Sequence, residues 1–404
     1  MTPQQPAPGG IRPGHPDRHA AVPLWRDRRV QRVVIQVIVV LIVAVVGLLL
    51  WGNLTSAMAR TNLTFGLGFL DQTAGFEISE SLVSYAATDT YGRAIQVGLL
   101  NTLYVSILGI ILSTILGVIV GVARLSRNWL VNKIAAGFVE LMRNTPLLVQ
   151  LFILYFAVLL QLPAIADSIT LPGSVFLNQR GLFLPRPDAT ATFSLWLGLS
   201  ALGILAGLIG WQFSSRREAA GRPTHRAGTI GLLALVILPV VGWLVAAEPP
   251  VAFDAPVRGR FNFEGGLALS PEFLALLVGL VIYTAAFIGE VVRGGIQAVR
   301  RGQVEAAYAV GLSEMQTLRL IIFPQAMRII VPPLTSQYLN LAKNSSLAIA
   351  IGFPDLFNVS QTVANQTGQP VSVIVLVMAL YLGVSLVTSL LMNVYNRRVQ
   401  VLER

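Results

Sequence analysis

Charged side chains set inside long apolar stretches are the residues of this 404-residue sequence best placed to do chemistry. Glu140 and Arg143, like Glu290 and Arg293, are three residues apart, a spacing that puts both members on one face of a helix. Both read as structural ion pairs. A lone charge at membrane depth costs roughly 2.5–3.5 kcal/mol on insertion scales, and pairing lowers that cost. Lys343 differs, having no acidic residue within a helical turn. Its neighbours Asn340, Asn344, Ser345 and Ser346 can hydrogen-bond but cannot neutralise it. Two readings stand for it: a cation that attracts the carboxylate of a passing solute, or one that snorkels toward the membrane surface or pairs across a subunit contact.

Other chemistries find little support. Without cysteine there is no disulfide framework, thiol nucleophile or thiolate metal site. The three histidines, His15, His19 and His225, lie in polar segments, and no His/carboxylate set has metal-ligand spacing. The expectation is therefore no catalytic residue and no metal. A phosphate-binding loop needs a Lys followed by Ser or Thr, yet the only two lysines precede Ile134 and Asn344. The chain is not expected to be an enzyme.

A polar-to-amphipathic insert, Glu305-Ala-Ala-Tyr-Ala-Val-Gly311, separates two apolar blocks and ends nine residues later in Ile321-Ile-Phe-Pro324. Ala306, Ala307 and Val310 share one face of a predicted short helix, with Glu305 in its first turn. Gly311 suits a left-handed helix end, and Ser313 with Gln316 fits a capping box that starts a second helix. Pro324 is expected to end or kink that helix. The product is a small-faced helix–turn–helix plug, shaped for another protein's groove.

These features must be carried by membrane spans. The composition is 54% hydrophobic and 12% charged, and the apolar residues come in blocks. They are 33–51, 95–123, 138–160, 191–210, 230–247, 273–288, 329–351 and 371–395, each near the ~20 residues a spanning helix needs. Eight transmembrane helices in an all-α, polytopic fold follow, because lipid offers backbone groups no partners. Placing both termini inside puts 21 of the 29 Lys/Arg on that side and six on the other, with eleven acidic residues outside. This is the positive-inside bias of a polytopic, multi-pass membrane protein with cytoplasmic termini. It is not a nucleic-acid footprint, because the basic residues are divided among several short loops. Ala57-Met58-Ala59 resembles a processing site, but the apolar core before it is longer than a cleavable signal's, so a retained anchor is expected.

Along the chain, 1–29 reads as a disordered basic tail and 30–52 as an anchor. Segment 53–93 reads as an outer, periplasmic stretch in which Ile78, Leu82 and Tyr85 line one face of a short surface helix. The proline-rich stretch 162–190 reads as an irregular outer loop, and the tandem Pro332-Pro333 as a kink. Residues 397–404 form a second cytoplasmic tail.

The Glu305–Pro324 pattern resembles the signature loop of permease subunits of ABC importers, departing only at Phe323. Gly98-Leu-Leu-Asn101-Thr102-Leu, Glu140-Leu-Met-Arg143-Asn-Thr-Pro146-Leu-Leu-Val-Gln150, Tyr283-Thr-Ala-Ala and Asn340-Leu-Ala-Lys343-Asn344-Ser345-Ser346-Leu347 resemble the polar amino-acid branch of type I importers. The overall layout is similar to permeases for general L-amino acids and for glutamate, glutamine, aspartate and asparagine. The resemblance implies a five-helix importer core within 94–396, interrupted at 162–270 by an inserted region with two extra spans. It implies that Glu305, Ala306, Ala307, Gly311 and Pro324 form a cytoplasmic coupling helix and loop. Tyr283, Thr284, Asn340, Lys343, Asn344 and Ser345 become candidates to line the pathway. The implied partners are an ATPase dimer carrying ATP and Mg, a second, related but distinct permease, a periplasmic amino-acid-binding protein and membrane lipid. An ion-gradient-driven secondary amino-acid transporter is the alternative reading.

Overall fold

The computed structural model describes residues 28–60, 66–219, 225–259 and 262–399. The chain divides into two compact units, Met1–Phe65 and Gly66–Arg404. The first contains α1 (Arg28–Arg60), whose Gln31–Asn53 stretch is apolar and long enough to cross a membrane. The helix outruns the expected 30–52 anchor at both ends and includes Ala57-Met58-Ala59. Most of the two expected tails, 1–27 and 400–404, lies outside the described residues.

The second unit is mostly helical. Its core elements are α2 (Tyr91–Ala123), α3 (Trp129–Asn144) and α4 (Leu147–Phe152), then an inserted pair, α5 (Phe193–Ala219) and α6 (His225–Val245). After these come α7 (Pro271–Gln297), α8 (Arg301–Ala309), α9 (Glu314–Thr317), α10 (Phe323–Asn344), α11 (Leu356–Thr367) and α12 (Pro370–Val399). Among the described residues of the whole chain, seven helices are long and apolar enough to span a membrane, or up to eight with one bent pair counted. That pair falls on the expected third span, 138–160, and is sharply bent: α3 and the helical stretch Leu147–Gln161 meet at 104°. The break falls at Thr145, extended at φ −101°, because the ring of Pro146 disfavours helical backbone in the residue before it.

The packing of α2 on α7 depends on missing side chains. An added Cβ at Gly117 would lie 2.6 Å from Ile288, and one at Gly121 would lie 2.7 Å from the Gly289 carbonyl oxygen. Gly98 makes the equivalent approach to the Asp355–Leu356 backbone, at 3.0 Å. Around these contacts gather buried Val105, Leu276, Leu280, Ile288 and Leu341.

Two regions differ from expectation. No surface helix covers Ile78, Leu82 and Tyr85; the segment is extended instead. The Ala74 N–H donates to the Asp89 carbonyl (2.8 Å) and the Tyr85 hydroxyl donates to the Phe76 carbonyl (3.0 Å). Rings of Phe76, Tyr85 and Tyr91 pack at 6.3 and 6.4 Å, burial that an isolated short helix would not supply.

The stretch 162–190 is not irregular either. Strands β1 (Ile169–Leu171), β2 (Val175–Asn178) and β3 (Gly181–Leu184) form an antiparallel sheet. Its fourth strand comes from beyond the inserted helices. The ribbons β4 (Arg186–Ala189) with β5 (Val251–Asp254), and β6 (Val257–Arg258) with β7 (Phe263–Glu264), precede that strand, β8 (Leu267–Leu269), which pairs with β3. Prolines did not prevent this, because Pro187 sits in a two-stranded ribbon where every strand is an edge. Phe176 and Phe183 stack on Phe263 at 4.7 and 4.8 Å. Gly181, at φ +120°, allows the Leu269 carbonyl to within 2.0 Å of where a Cβ would stand.

Overpacking the α2–α7 seam should therefore be costly. Gly121→Val is expected to lower stability by about 1–3 kcal/mol, read as a lower unfolding temperature of the purified protein. Gly137→Ala on α3, with no atom within 4 Å of the added carbon, should hold or raise it.

Candidate functional site

The Glu305–Pro324 insert folds as two short helices locked at their junction. α8 ends at Ala309 with Val310 as its C-cap, and Gly311 turns left-handed at φ +84°. The Leu312 N–H donates to the Ala307 carbonyl and the Gly311 N–H to the Tyr308 carbonyl, both at 3.0 Å. This is the paired bonding of a Schellman motif. Ser313 then caps α9 reciprocally: its N–H donates to Gln316 Oε1 (2.9 Å) and its hydroxyl accepts from the Gln316 N–H (3.3 Å). Two terminal motifs in consecutive residues leave the turn little freedom.

Exposure divides the loop. Ala307 is 4% exposed and anchors α8, whereas Val310 is 77% and Tyr308 50% exposed; Glu305, Ala306, Gly311 and Pro324 are exposed too. Ala306 and Val310 thus do not share the buried face with Ala307. α8 begins at Arg301, so Glu305 sits in its second turn, not its first. Nor does Pro324 end the second helix. A π-helical stretch, Leu318–Ile322, carries α9 into α10, where Pro324 occupies the first turn and its missing N–H is tolerated. Pro332 and Pro333 lie within the continuous α10.

The two expected ion pairs part company. Glu290 pairs with Arg293 and also with Arg124 from the end of α2. Glu140 and Arg143 form no ion pair among the described residues. The guanidinium of Arg143 instead lies 5.2 Å from the Phe287 ring centroid, a cation–π contact, with the Glu290 carboxylate also within electrostatic reach.

The pathway candidates are also divided. Thr284 and Ser345 are buried, the Ser345 hydroxyl donating to the Ala342 carbonyl at 2.9 Å. Tyr283 is half-buried against Phe287, 5.0 Å between centroids. Asn340 and Lys343 are exposed together on α10, with Asn344 partly covered.

Asp355 is a polar residue that the sequence reading did not single out. It is 0% exposed and N-caps α11, its Oδ1 accepting from the Asn358 N–H at 2.9 Å. Its Oδ2 accepts from the Tyr381 hydroxyl (3.2 Å), which in turn lies in reach of Ser345 and Thr102. Asn101 donates to the carbonyls of Glu80 (2.8 Å) and Pro354 (2.9 Å), and Thr102 accepts from the Leu356 N–H. The Asp355-Leu-Phe-Asn358 spacing is an N-cap signal that could have revealed the helix start, though not its burial. Burial pushes the Asp355 carboxyl up to about 6, against the pull of the Asn358 and Phe357 amides and the Tyr381 hydroxyl. Nearby, burial also raises Glu80, which accepts a hydrogen bond from Ser270.

Comparison with known proteins decides the class. Residues 230–401 match the model of the binding-protein-dependent transport system inner membrane component. A general L-amino acid transport system permease protein of Rhizobium johnstonii is 46% identical over 90% of this chain and 91% of its own length. The chain belongs to the family of amino-acid ABC transporter permeases. A putative amino-acid ABC transporter permease of Escherichia coli is 44% identical over 90% of this chain and 93% of its own. A glutamate/glutamine/aspartate/asparagine transport system permease of Rhodobacter capsulatus is 39% identical over 94% of this chain and 96% of its own. A solved structure of an amino acid ABC transporter with histidines aligns at a TM-score of 0.46 and 20% identity, covering 76% of this chain and 95% of its own. That likeness is too loose to add to the assignment. The ion-gradient alternative is left without support.

Asp355 generates a pH-dependent expectation. The folded chain holds this proton more tightly than the unfolded one, whose carboxyl titrates near 3.8, so its contribution is full below that value and is lost as pH rises through about 6. The stability difference between wild type and Asp355→Asn should shift in favour of wild type as pH is lowered across that window, in paired unfolding curves. A difference that stays flat with pH would refute the buried, proton-holding carboxyl. Asp355→Ala should lose about 1 kcal/mol or more at every pH through the missing cap.

Proposed function

We propose that this chain is the membrane permease subunit of an ATP-driven importer for polar L-amino acids, with both termini in the cytoplasm. It encloses one pathway together with a second, related but distinct permease. An ATPase dimer, carrying ATP and Mg on its own chains, grips the loop formed by Glu305, Ala306, Ala307, Gly311 and Pro324. A periplasmic amino-acid-binding protein delivers the solute to the opposite, acidic side. The observation that carries this reading is the doubly capped turn between α8 and α9. It offers exposed Tyr308, Val310 and Met315 on a stiff mount joined directly to two long helices.

The mechanism follows from stiffness. Nucleotide favours one arrangement of the ATPases only through its differential affinity, and the loop passes that preference on to α7 and α10. Nothing in this scheme needs a reacting group on this chain. Charge divides along the same axis, with the basic residues concentrated on the side proposed to be cytoplasmic. The amino-acid substrate class is supported by the names of the relatives, which are general L-amino acid and glutamate/glutamine/aspartate/asparagine permeases.

Two variants test the loop. Gly311→Asp places a side chain on left-handed backbone at about 1 kcal/mol or more and puts an anion at the apolar tip; Glu305→Lys reverses an exposed charge. Both should reduce uptake at least about tenfold in proteoliposomes, while the permease stays folded in the membrane. Uptake at the wild-type rate in both would remove the loop from coupling. Lys343→Ala separates the two readings of that residue. A raised KM for acidic solutes at unchanged assembly is expected if Lys343 meets the substrate, and unchanged substrate dependence would exclude it.

A further inference from the structure

A second polar feature lies at the root of the α8–α9 loop. A cleft of about 410 Å³ is lined by Ala298, Val299, Arg300, Gln303, Gln325, Arg328 and Ile329. Two guanidinium groups and two carboxamides face it, and no acidic side chain is among them. The Nε of Arg328 is buried and has no hydrogen-bond partner, a donor whose desolvation is not offset within the chain. The amides Gln303 and Gln325 bond to each other only weakly, at 3.3 Å.

The backbone adds to the positive potential. α8, nine residues long, starts at this cleft, and its N-cap residue Arg300 contributes no side-chain bond to the helix end. The amide dipoles there favour an anion, as they do at phosphate-binding helix starts. Two arginines, Arg300 at the surface and Arg328 partly buried, border one space with two carboxamides and a helix N-terminus, enough donors to serve the several oxygens of a phosphate. Exposed Ile329 and Phe323 border the same end of α10, giving an apolar path away from the polar pocket.

We propose that this cleft binds a phosphate-type oxyanion, free or as the headgroup of an anionic phospholipid, gripped by Arg300 and Arg328. Bound there, the anion would tie the start of α8 to the first turns of α10 and brace the loop from beneath. The cleft stands on its own geometry and does not require the transport reading to hold.

The test uses the purified complex in detergent, stripped of lipid, and native mass spectrometry. Phosphatidylglycerol should bind at one site per chain, and phosphatidylcholine should not. Arg300→Gln, a change at an exposed side chain, and Arg328→Gln should each weaken that site about tenfold or more. Arg328→Lys should fall between, keeping the charge without the forked donors. Lys133→Gln, a cation lost elsewhere, should change nothing. Inorganic phosphate that binds alone and competes with the lipid points to a free-anion source; lipid binding that phosphate cannot displace points to the headgroup. Binding of neither ligand, as when a partner protein's carboxylate fills the cleft, would overturn the proposal. So would binding that Arg300→Gln and Arg328→Gln leave intact.

Discussion

Backbone contact between α2 and α7 is the constraint on which the rest of this unit depends. Gly117, Gly121 and Gly289 bring the two helices to a separation at which carbonyl oxygens and branched side chains fill the seam. Lipid gives no hydrophobic drive for helices to associate, so close packing of small residues has to supply much of the attraction. The seam also sets what each end of the pair can reach. One end brings Arg124 to Glu290, and the other brings Gly98, Asn101 and Thr102 under Asp355 and Leu356.

Polar groups then stabilise the bundle where the chain changes direction. Asp355 caps α11 from inside the core, and Asn101 collects two carbonyls that no helix satisfies. At the opposite end, Glu290 sits between Arg293 and Arg124. Between these two clusters the seam is apolar apart from small hydroxyl groups. The α8–α9 loop hangs directly from the end of α7 that carries the Glu290 cluster, so force applied to the loop meets a helix fixed by ion pairs and by glycine contact.

Much of this was legible in sequence, and the exceptions share a cause. Apolar blocks located the spans because the hydrocarbon demands about twenty residues of helix. Gly311, Ser313 and Gln316 located the turn because capping is local chemistry. What escaped depended on distant partners. The proline-rich stretch became strands because β8, distant in sequence, pairs with β3, Leu182 facing Leu269 and Leu184 facing Leu267. Tyr85 and Phe76 found each other instead of forming a helix. Arg143 took Phe287 in place of Glu140, three residues away on its own helix, because α7 passes close by. Of the two outcomes expected at Pro324, it does not end the helix, because a π-helical stretch just before it carries α9 into α10.

The central claim is mechanical: the rigid turn at Tyr308–Gly311 is where an external engine takes hold. The chain contains no cysteine, so Val310→Cys introduces a unique thiol at an exposed point of that turn. A reagent that is thiol-reactive at one end and photoreactive at the other, applied to the assembled complex, should join it to an ATP-hydrolysing subunit, and an impermeant thiol label added outside intact cells should not reach it. Labelling from outside, with no ATPase among the cross-linked products, would contradict the account.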